Sequence, residues 1–584
     1  MRIGIGLGLF LFFGFLLNLA RVPLDWRIFL GASILILAVR LFVDYRKKEL
    51  FSFKVNFNLY SILMLVLFFA TLYMYITGAF AYPYLEDDDS WSHAIGVKFV
   101  SMEKTVFAGK NSVFHYIDPY PPAYDMFMGI IHQTNDSVYW TLKFFNALLV
   151  SLPIIFFFYF TKSLARSSRK AFYSAFVLFA IPAFMSHFIW SIAITMPLFF
   201  ISFYCIGKVN DDKNWWILSA LVIMPTITSS PTHSTYFGFF LIIYFVARLI
   251  VERKFLIYEF FAGATGIILS FLLWWIPTIM THGFSGVIRI IGPAGGPRAG
   301  YLSIEGTSDR VYSLSDFLCN ISTPCYNGQN MINSPIGIGI IVSVLCVVGL
   351  FLLFLRQKEA FKNKNYYFFV AVIWFFFSFY AVNSSESPVK LSPFRTWMLF
   401  AIPVALMAAE AINFIYLLIK SLSSKLIKKE NIVLGVSAFL IVGLGYSIFV
   451  TSFAPKYKVN TANWPPGAFW ASTDEIQGYI WFKDNIPAQS KVFTFSNNGL
   501  IIGLDKFICH WCPDVRDFQS NGIGKSPDEI YSWLKKNDYK YLIVDGQTVK
   551  KFGINETNRM IVNLGSGYNL QPVFRNNGII ILKI

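Results

Sequence analysis

Apolar runs of membrane-spanning length recur along the first three quarters of the chain. A helix needs roughly 20 apolar residues to cross a bilayer, and we count about thirteen such runs before position 453. Because lipid offers no water to backbone polar groups, each run is expected to form a helix. The sequence therefore predicts a polytopic α-helical membrane protein, which agrees with 55% hydrophobic and only 14% charged residues.

The loops between these runs carry a charge pattern that predicts topology. The runs lie near 3–20, 27–44, 59–80, 138–161, 172–187, 188–206, 216–231, 234–251, 257–279, 335–355, 366–382, 395–419 and 431–452. Lys and Arg cluster in alternate loops, and such loops stay in the cytoplasm. We predict a cytoplasmic N-terminus, an extracytoplasmic C-terminus, and a plasma membrane location, or the ER membrane in a eukaryote. These loops and anionic lipid account for the net charge of +16, without nucleic acid as a partner.

Two domains are predicted from the distribution of polar segments. Residues 1–452 form a transmembrane domain with outer loops 81–137 and 280–334, and residues 453–584 form an extracytoplasmic α/β domain. In this second domain, Ser526-Pro-Asp-Glu is typical of a helix start. Tyr541-Leu-Ile-Val-Asp is typical of a buried strand.

The first outer loop begins with four consecutive acids, Glu86 to Asp89, at the end of an apolar run. Acids are costly near lipid, so this cluster is either a solvated turn or an active-site carboxylate cluster. Asp89 and His93 are four residues apart and share one face of a helix. A carboxylate and an imidazole so placed can bind a divalent cation or act as a base and its partner. The alternative is that the acid caps the helix.

The outer cysteines and arginines form two further candidate sites. Cys319 and Cys325 are close in the chain, as are Cys509 and Cys512, and an oxidising compartment favours two local disulfides. The alternative for the second pair is half of a zinc site. Arg298 lies in a glycine-rich segment of the second outer loop, which either meets a phosphate or merely connects two spans.

The layout resembles that of membrane glycosyltransferases with the GT-C fold. Asp89-Ser-Trp-Ser-His93-Ala resembles an acidic motif of the oligosaccharyltransferase catalytic subunit and its archaeal relatives. Tyr120-Pro-Pro resembles the motif that closes this loop in that family. Ser392-Pro-Phe-Arg395 resembles the motif that binds the carrier phosphate. The WWDYG motif is missing, and the turn after Ser186 has no acid, which favours transfer of one sugar over transfer of a whole glycan.

This resemblance implies an enzyme that transfers a sugar from a polyprenyl- or dolichyl-phosphate donor. The acceptor would be a glycan or a protein at the outer face of the bilayer, with inversion at the anomeric carbon. Asp89, with Asp88 as second choice, would deprotonate or orient the acceptor hydroxyl, and His93 would assist it. Arg395 and Arg298 would bind the donor phosphate.

A cofactor and two alternative functions stay open. If a divalent cation such as Mg or Mn is used, Asp87, Asp89 and His93 are its predicted ligands. The first alternative is an oligosaccharyltransferase-like enzyme with different acceptor recognition. The second is a transporter or flippase for a lipid-linked sugar. Transporters place ionisable residues near the bilayer midplane, where this chain has almost no acids apart from Glu410.

Overall fold

The computed structural model describes ten stretches of the chain. They are residues 1–47, 58–86, 88–109, 116–291, 311–318, 337–389, 391–426, 430–462, 470–568 and 570–584. Four predicted site residues, Asp87, Arg298, Cys319 and Cys325, lie outside the described residues.

A helix coincides with every predicted span. From the start of the chain the helices are α1 Arg2–Leu19, α2 Trp26–Arg46, α3 Leu59–Ala79, α4 Asp88–Glu103, α5 Ala123–His132, α6 Val138–Trp140, α7 Asn146–Ala165, α8 Ser168–Ala180, α9 Ile192–Lys208, α10 Trp215–Ile227, α11 Pro231–Glu252, α12 Ile257–Ser270, α13 Ile276–His282 and α14 Phe284–Ile291. They continue with α15 Leu314–Leu318, α16 Ile340–Leu355, α17 Gln357–Lys362, α18 Tyr367–Val382, α19 Pro393–Leu426, α20 Glu430–Ile448 and α21 Ala454–Asn460. Turns of π-helix join α6 to α7, α12 to α13 and α20 to α21.

Among the described residues, eight helices are long and apolar enough to cross a membrane. They are Arg2–Leu19, Trp26–Arg46, Leu59–Ala79, Val138–Ala165, Pro231–Glu252, Ile257–His282, Pro393–Ser423 and Gly435–Asn460. The predicted spans that match α9, α10, α16 and α18 are shorter apolar helices. The helix that matches the span predicted at 172–187 is also short, because α8 ends at Ala180. Pro182 follows and forces Ile181 into an extended conformation.

Burial separates the interior of the bundle from its lipid-facing side. The most apolar windows of Val138–Ala165 and Pro393–Ser423 are each 67% buried, against 11% for Trp26–Arg46. The first two therefore form the interior. Gly349 lets α16 pack directly on α19, since a Cβ there would lie 1.9 Å from the carbonyl oxygen of Met407.

One end of the bundle is closed by the segment 81–137. The Asn18 side chain at the end of α1 accepts hydrogen bonds from Thr105 Oγ1 at 2.8 Å and from the Val106 amide at 3.0 Å. Lys143 Nζ donates to the carbonyl oxygens of Ala79 and Tyr82, both at 2.6 Å. The alternation of charged loops predicts that the ends of α1 and α3 and the start of α6 share one side. The structure brings them together, and the assignment of this side to the outer face stays a prediction.

The C-terminal part is an α/β unit, which confirms the predicted fold class. Its helices are α22 Thr473–Asn485, α23 Asn498–Gly503, α24 Pro513–Asn521, α25 Pro527–Lys536, α26 Gly546–Phe552 and α27 Ile554–Tyr568. Its strands are β1 Val492–Thr494, β2 Tyr541–Asp545, β3 Pro572–Arg575 and β4 Ile579–Lys583. In the described residues they form one sheet of order β1-β2-β4-β3, in which only β1 and β2 are parallel. α25 starts where it was predicted, and the structure shows that Ser526 and Glu529 form a capping box there.

This unit docks on the closed end of the bundle through polar contacts. Asp505 accepts a hydrogen bond from Ser137 Oγ at 2.6 Å and one from the Tyr139 amide at 3.1 Å. Asp505, a residue of the C-terminal unit, therefore caps the start of the span Val138–Ala165. Lys98 Nζ on α4 donates to Gln489 Oε1 at 2.9 Å. The last membrane helix continues to Asn460, beyond the domain boundary predicted at 452.

Replacing the Asp505 cap is expected to loosen this docking. Asp505→Ala removes two hydrogen bonds to a partly buried carboxylate and should lower the free energy of unfolding by about 2 kcal/mol. Limited proteolysis of the purified protein should then release the C-terminal unit faster. Asp484→Ala is the matched control, since Asp484 is exposed and does not cap the span. Equal proteolysis rates for the two variants would contradict the capping role.

Candidate active site

Asp88 and Asp89 lie in the first turn of α4, where the helix dipole favours acids. Asp88 Oδ1 accepts a hydrogen bond from the Asp89 amide at 2.9 Å, so this carboxylate is engaged at the helix start. The Asp89 carboxylate accepts a hydrogen bond from the hydroxyl of Tyr116. Of these two acids, Asp89 is therefore the one that contacts the later part of the segment 81–137, through Tyr116.

His93, one turn further along α4, is buried against a second acid. Its Nδ1 lies 2.7 Å from Asp125 Oδ1 on α5. The imidazole stacks on Tyr116 with ring centroids 4.2 Å apart and an interplanar angle of 18°. Tyr124 packs edge-on at 4.8 Å. Tyr116 thus joins Asp89 and His93, the two residues that the helical spacing predicted to act together.

Asp125 reaches His93 because α4 has a glycine opposite it. A Cβ at Gly96 would lie 2.2 Å from Asp125 Oδ2, so any larger residue would push the carboxylate away. Burial raises the pKa of the Asp125 carboxyl, and the nearby His93 opposes this shift. Among the described residues, Asp125 Oδ2 and His93 Nε2 have no hydrogen-bond partner. One hydrogen bond therefore joins His93 to Asp125.

A second histidine–carboxylate contact lies at the end of α3. Glu86 Oε2 lies 2.9 Å from His187 Nε2, without the alignment of a hydrogen bond, and both side chains are buried. Asn146 links the two contacts, since its amide donates to the His187 carbonyl oxygen at 2.9 Å and its Oδ1 accepts from the Tyr124 hydroxyl at 2.9 Å. The sequence of the turn after Ser186 contains no acid, and the structure supplies Glu86 to that turn from the segment between α3 and α4.

The third histidine–carboxylate contact ties the loop to α13. His282 Nε2 lies 2.7 Å from Asp118 Oδ1, and Asp118 Oδ2 accepts hydrogen bonds from the Ala108 and Gly109 amides. Burial raises the pKa of the Asp118 carboxyl, and His282 opposes this shift. The contact attaches the first outer loop to the span that leads to the second.

A run of side chains connects Asp89 with Arg395. Tyr116 packs edge-on against Tyr120 at 4.9 Å, and the Tyr120 hydroxyl lies 2.9 Å from Ser191 Oγ. The neighbouring Trp190 packs edge-on near His233, with ring centroids 6.4 Å apart. This brings the run to His233 in the first turn of α11.

The start of α19 lies beside this run. His233 and Tyr236, both on α11, are near Ser392, Arg395 and Thr396. The Arg395 side chain is exposed, and no carboxylate among the described residues pairs with it. The structure therefore collects Asp88, Asp89, His93 and Arg395 at one end of the bundle.

The ligand set predicted for a divalent cation is not assembled in the part of the chain that the structure describes. No group of three His, Cys, Asp or Glu side chains converges there. Asp89 is engaged by Tyr116, and His93 Nδ1 by Asp125. The third predicted ligand, Asp87, lies outside the described residues, so the cation site stays a prediction.

Cys509 and Cys512 are joined by a disulfide. Trp511, between them, donates from Nε1 to Glu103 Oε1 at 2.8 Å and packs on Phe99 at 5.5 Å, so this turn rests on α4. With both sulfurs bonded to each other, the turn has no thiolate to offer to zinc.

Peptide mapping without reduction is expected to recover Cys509 and Cys512 as one disulfide-linked peptide, and Cys319 with Cys325 as another. All four are predicted to face an oxidising compartment. Cys205 and Cys346 are free and buried, so a thiol reagent should label them only after unfolding. Free thiols at all four outer positions would contradict the predicted side of the membrane.

Sequence reasoning did not identify Asp125, Tyr116 or His187 as site residues. A signal was present for Asp125, which is the only acid in the apolar helix Ala123–His132. A buried acid in such a helix needs a partner. No comparable local signal marks Tyr116 or His187, because their partners are distant in the chain.

These features define a class: a polytopic helical membrane protein whose polar end, rich in histidine and carboxylate, is covered by an α/β unit. No family model matches the chain, and no curated protein sequence matches it. Solved structures do. The chain is similar to the oligosaccharyltransferase of Archaeoglobus fulgidus tethered with an acceptor peptide, at TM-score 0.46 and 11% identity, covering 87% of this chain and 72% of that one.

Two further solved structures are similar to this chain. ArnT from Cupriavidus metallidurans bound to undecaprenyl phosphate has TM-score 0.48 and 12% identity, covering 90% of this chain and 97% of that one. Arabinosyltransferase EmbB from Mycobacterium smegmatis has TM-score 0.32 and 11% identity, covering 82% and 44%. At these identities no functional residue of theirs is transferred to this chain.

Proposed function

We propose that this protein is a membrane glycosyltransferase that uses a polyprenyl- or dolichyl-phosphate sugar as donor. The observation that carries the proposal is the contact run from Asp89 through Tyr116, Tyr120 and the Trp190–Ser191 turn to His233, which lies near Arg395. A carboxylate and an exposed guanidinium thereby share one end of the bundle, as a reaction between a lipid-linked phosphate and a polar acceptor requires. The GT-C-like motifs at Asp89, Tyr120 and Arg395 supply the donor class.

The proposed reaction is a single displacement at the anomeric carbon of the donor. An acceptor hydroxyl attacks the anomeric carbon of the donor, and its proton passes to the Asp89 carboxylate. The bond from that carbon to the phosphate oxygen breaks, and its electron pair stays on the polyprenyl phosphate. Arg395 stabilises the negative charge that develops there. Arg298 remains a proposed second phosphate ligand.

Purified protein in vesicles, supplied with a radiolabelled polyprenyl-phosphate sugar, tests the proposal. We expect the label to move to a polar acceptor and free polyprenyl phosphate to accumulate. If the label only crosses the bilayer, still attached to its lipid, the protein is a flippase and the proposal is wrong. Transfer to asparagine-containing peptides instead of a glycan would favour the oligosaccharyltransferase-like alternative.

A further inference from the structure

We infer that Asp125, His93 and Tyr116 form a positioning relay that holds the Asp89 carboxylate in one orientation. The inference rests on the proposed function, because it concerns the same carboxylate. The three residues act through one another and on Asp89. They are therefore positioning residues rather than catalytic ones.

The relay starts at a buried pair of residues, His93 and Asp125, which are joined by one hydrogen bond. His93 and Asp125 are each about 1% exposed, and the 2.7 Å contact from Nδ1 to Oδ1 fixes the rotation of the imidazole ring. His187 differs, because its Nδ1 faces Asn460 and its Nε2 faces Glu86. His93 Nε2 has no partner among the described residues. The Asp125 contact is thus the polar contact that sets the His93 ring plane.

Tyr116 carries this orientation to Asp89. One face of its ring lies on the His93 imidazole at 4.2 Å, and Tyr120 packs edge-on against it at 4.9 Å. Tyr120 is itself held by Ser191. With the ring confined on two sides, the Tyr116 hydroxyl can reach only a small region, and the Asp89 carboxylate lies in it.

Such confinement matters for an acid in the first turn of a helix. An aspartate there has several accessible rotamers, and only some direct an oxygen toward an acceptor. A displacement of 1 Å in a reacting group can cost a factor of about 10² in rate. A residue that selects one rotamer therefore changes turnover without contacting the donor.

The test measures kcat and the donor KM separately for Tyr116→Phe and Asp125→Asn. Tyr116→Phe keeps the stacked ring and removes only the hydroxyl. We expect its kcat to fall by about 10-fold or more, with the donor KM within about 2-fold of the unmodified protein. Asp125→Asn keeps the shape and weakens the bond to His93, so a smaller fall in kcat is expected.

Tyr82→Phe is the matched control. It removes a tyrosine hydroxyl at the same end of the bundle, one that donates to the Ala462 carbonyl oxygen at 2.9 Å. Its kcat should not change. A Tyr116→Phe kcat equal to that of the control would overturn the relay. So would a rise in donor KM at constant kcat, because Tyr116 would then bind the donor.

Gly96→Ala perturbs the relay without removing any polar group. The new Cβ would displace Asp125, so kcat should fall as in Asp125→Asn. Gly238→Ala is its control, since a Cβ there meets nothing within 4 Å. Full turnover in Gly96→Ala would count against the relay alone. Failure of the unmodified protein to transfer sugar from any polyprenyl-phosphate donor would overturn the proposed function itself.

Discussion

Asp89→Asn is expected to lower turnover by about 10²-fold or more, the usual scale for loss of a general base. The substitution keeps the size and shape of the side chain. The asparagine oxygen can still accept the hydrogen bond from Tyr116, so the fold and the local contacts should persist. What is lost is the capacity to take the proton of the acceptor. The expected change is therefore in kcat, with the donor KM nearly unchanged.

The neighbouring acids and a distant one serve as controls for Asp89. Asp88 already accepts a hydrogen bond from the backbone at the start of α4, so Asp88→Asn should have a smaller effect. Glu103→Gln, at the other end of α4, should leave turnover intact. If Asp87→Asn or Asp88→Asn abolishes turnover and Asp89→Asn does not, the catalytic acid has been assigned to the wrong position. Full turnover in all three Asp variants would contradict a carboxylate mechanism at this loop.

Arg395→Ala is expected to weaken donor binding by about 1.5–3 kcal/mol, which is the range for a hydrogen bond to a charged group. This corresponds to a loss of affinity of roughly 10- to 150-fold. Arg395→Lys should recover only part of the loss, because an ammonium group does not reproduce the two-pronged contact of guanidinium with phosphate. Titration of purified variants with a non-transferable polyprenyl-phosphate analogue measures the affinity directly.

Arg27→Ala is the control for charge alone. Arg27 is an exposed arginine at the start of α2, and it lies near the same end of the bundle. Its removal lowers the net charge equally but should leave donor affinity within about 2-fold, since exposed charges are screened. Similar losses in both variants would mean that overall charge, rather than a specific phosphate contact, governs binding.

The effects expected for Asp89→Asn and Arg395→Ala concern different parts of the proposed reaction. Asp89 is expected to act on the acceptor and Arg395 on the leaving phosphate, so one substitution changes kcat and the other changes donor affinity. The double variant should show nearly the sum of the two free-energy losses if the groups act independently. A strong deviation would indicate that the contact run between them through Tyr116 and Tyr120 couples the two sites.

Hydropathy and helix signals are local, and this is why most of the architecture could be predicted. Each predicted span matches a helix, because about 20 apolar residues leave the backbone no other way to satisfy its polar groups in lipid. The start of α25 followed from Ser526 and Glu529, and the strand Tyr541–Asp545 from its apolar run. The short helix α8 departs from expectation because Pro182 ends it within an otherwise apolar stretch.

The candidate site was determined only in part by the sequence. The acidic loop and the helical spacing of Asp89 and His93 identified the right end of the molecule. They could not indicate that Asp125, 32 residues later, would pair with His93, or that Glu86 would meet His187. Such partners depend on how α4, α5 and α3 pack, and on Gly96 leaving room for a carboxylate between two helices. Helix periodicity specifies which residues share a face, whereas the packing of helices decides what that face meets.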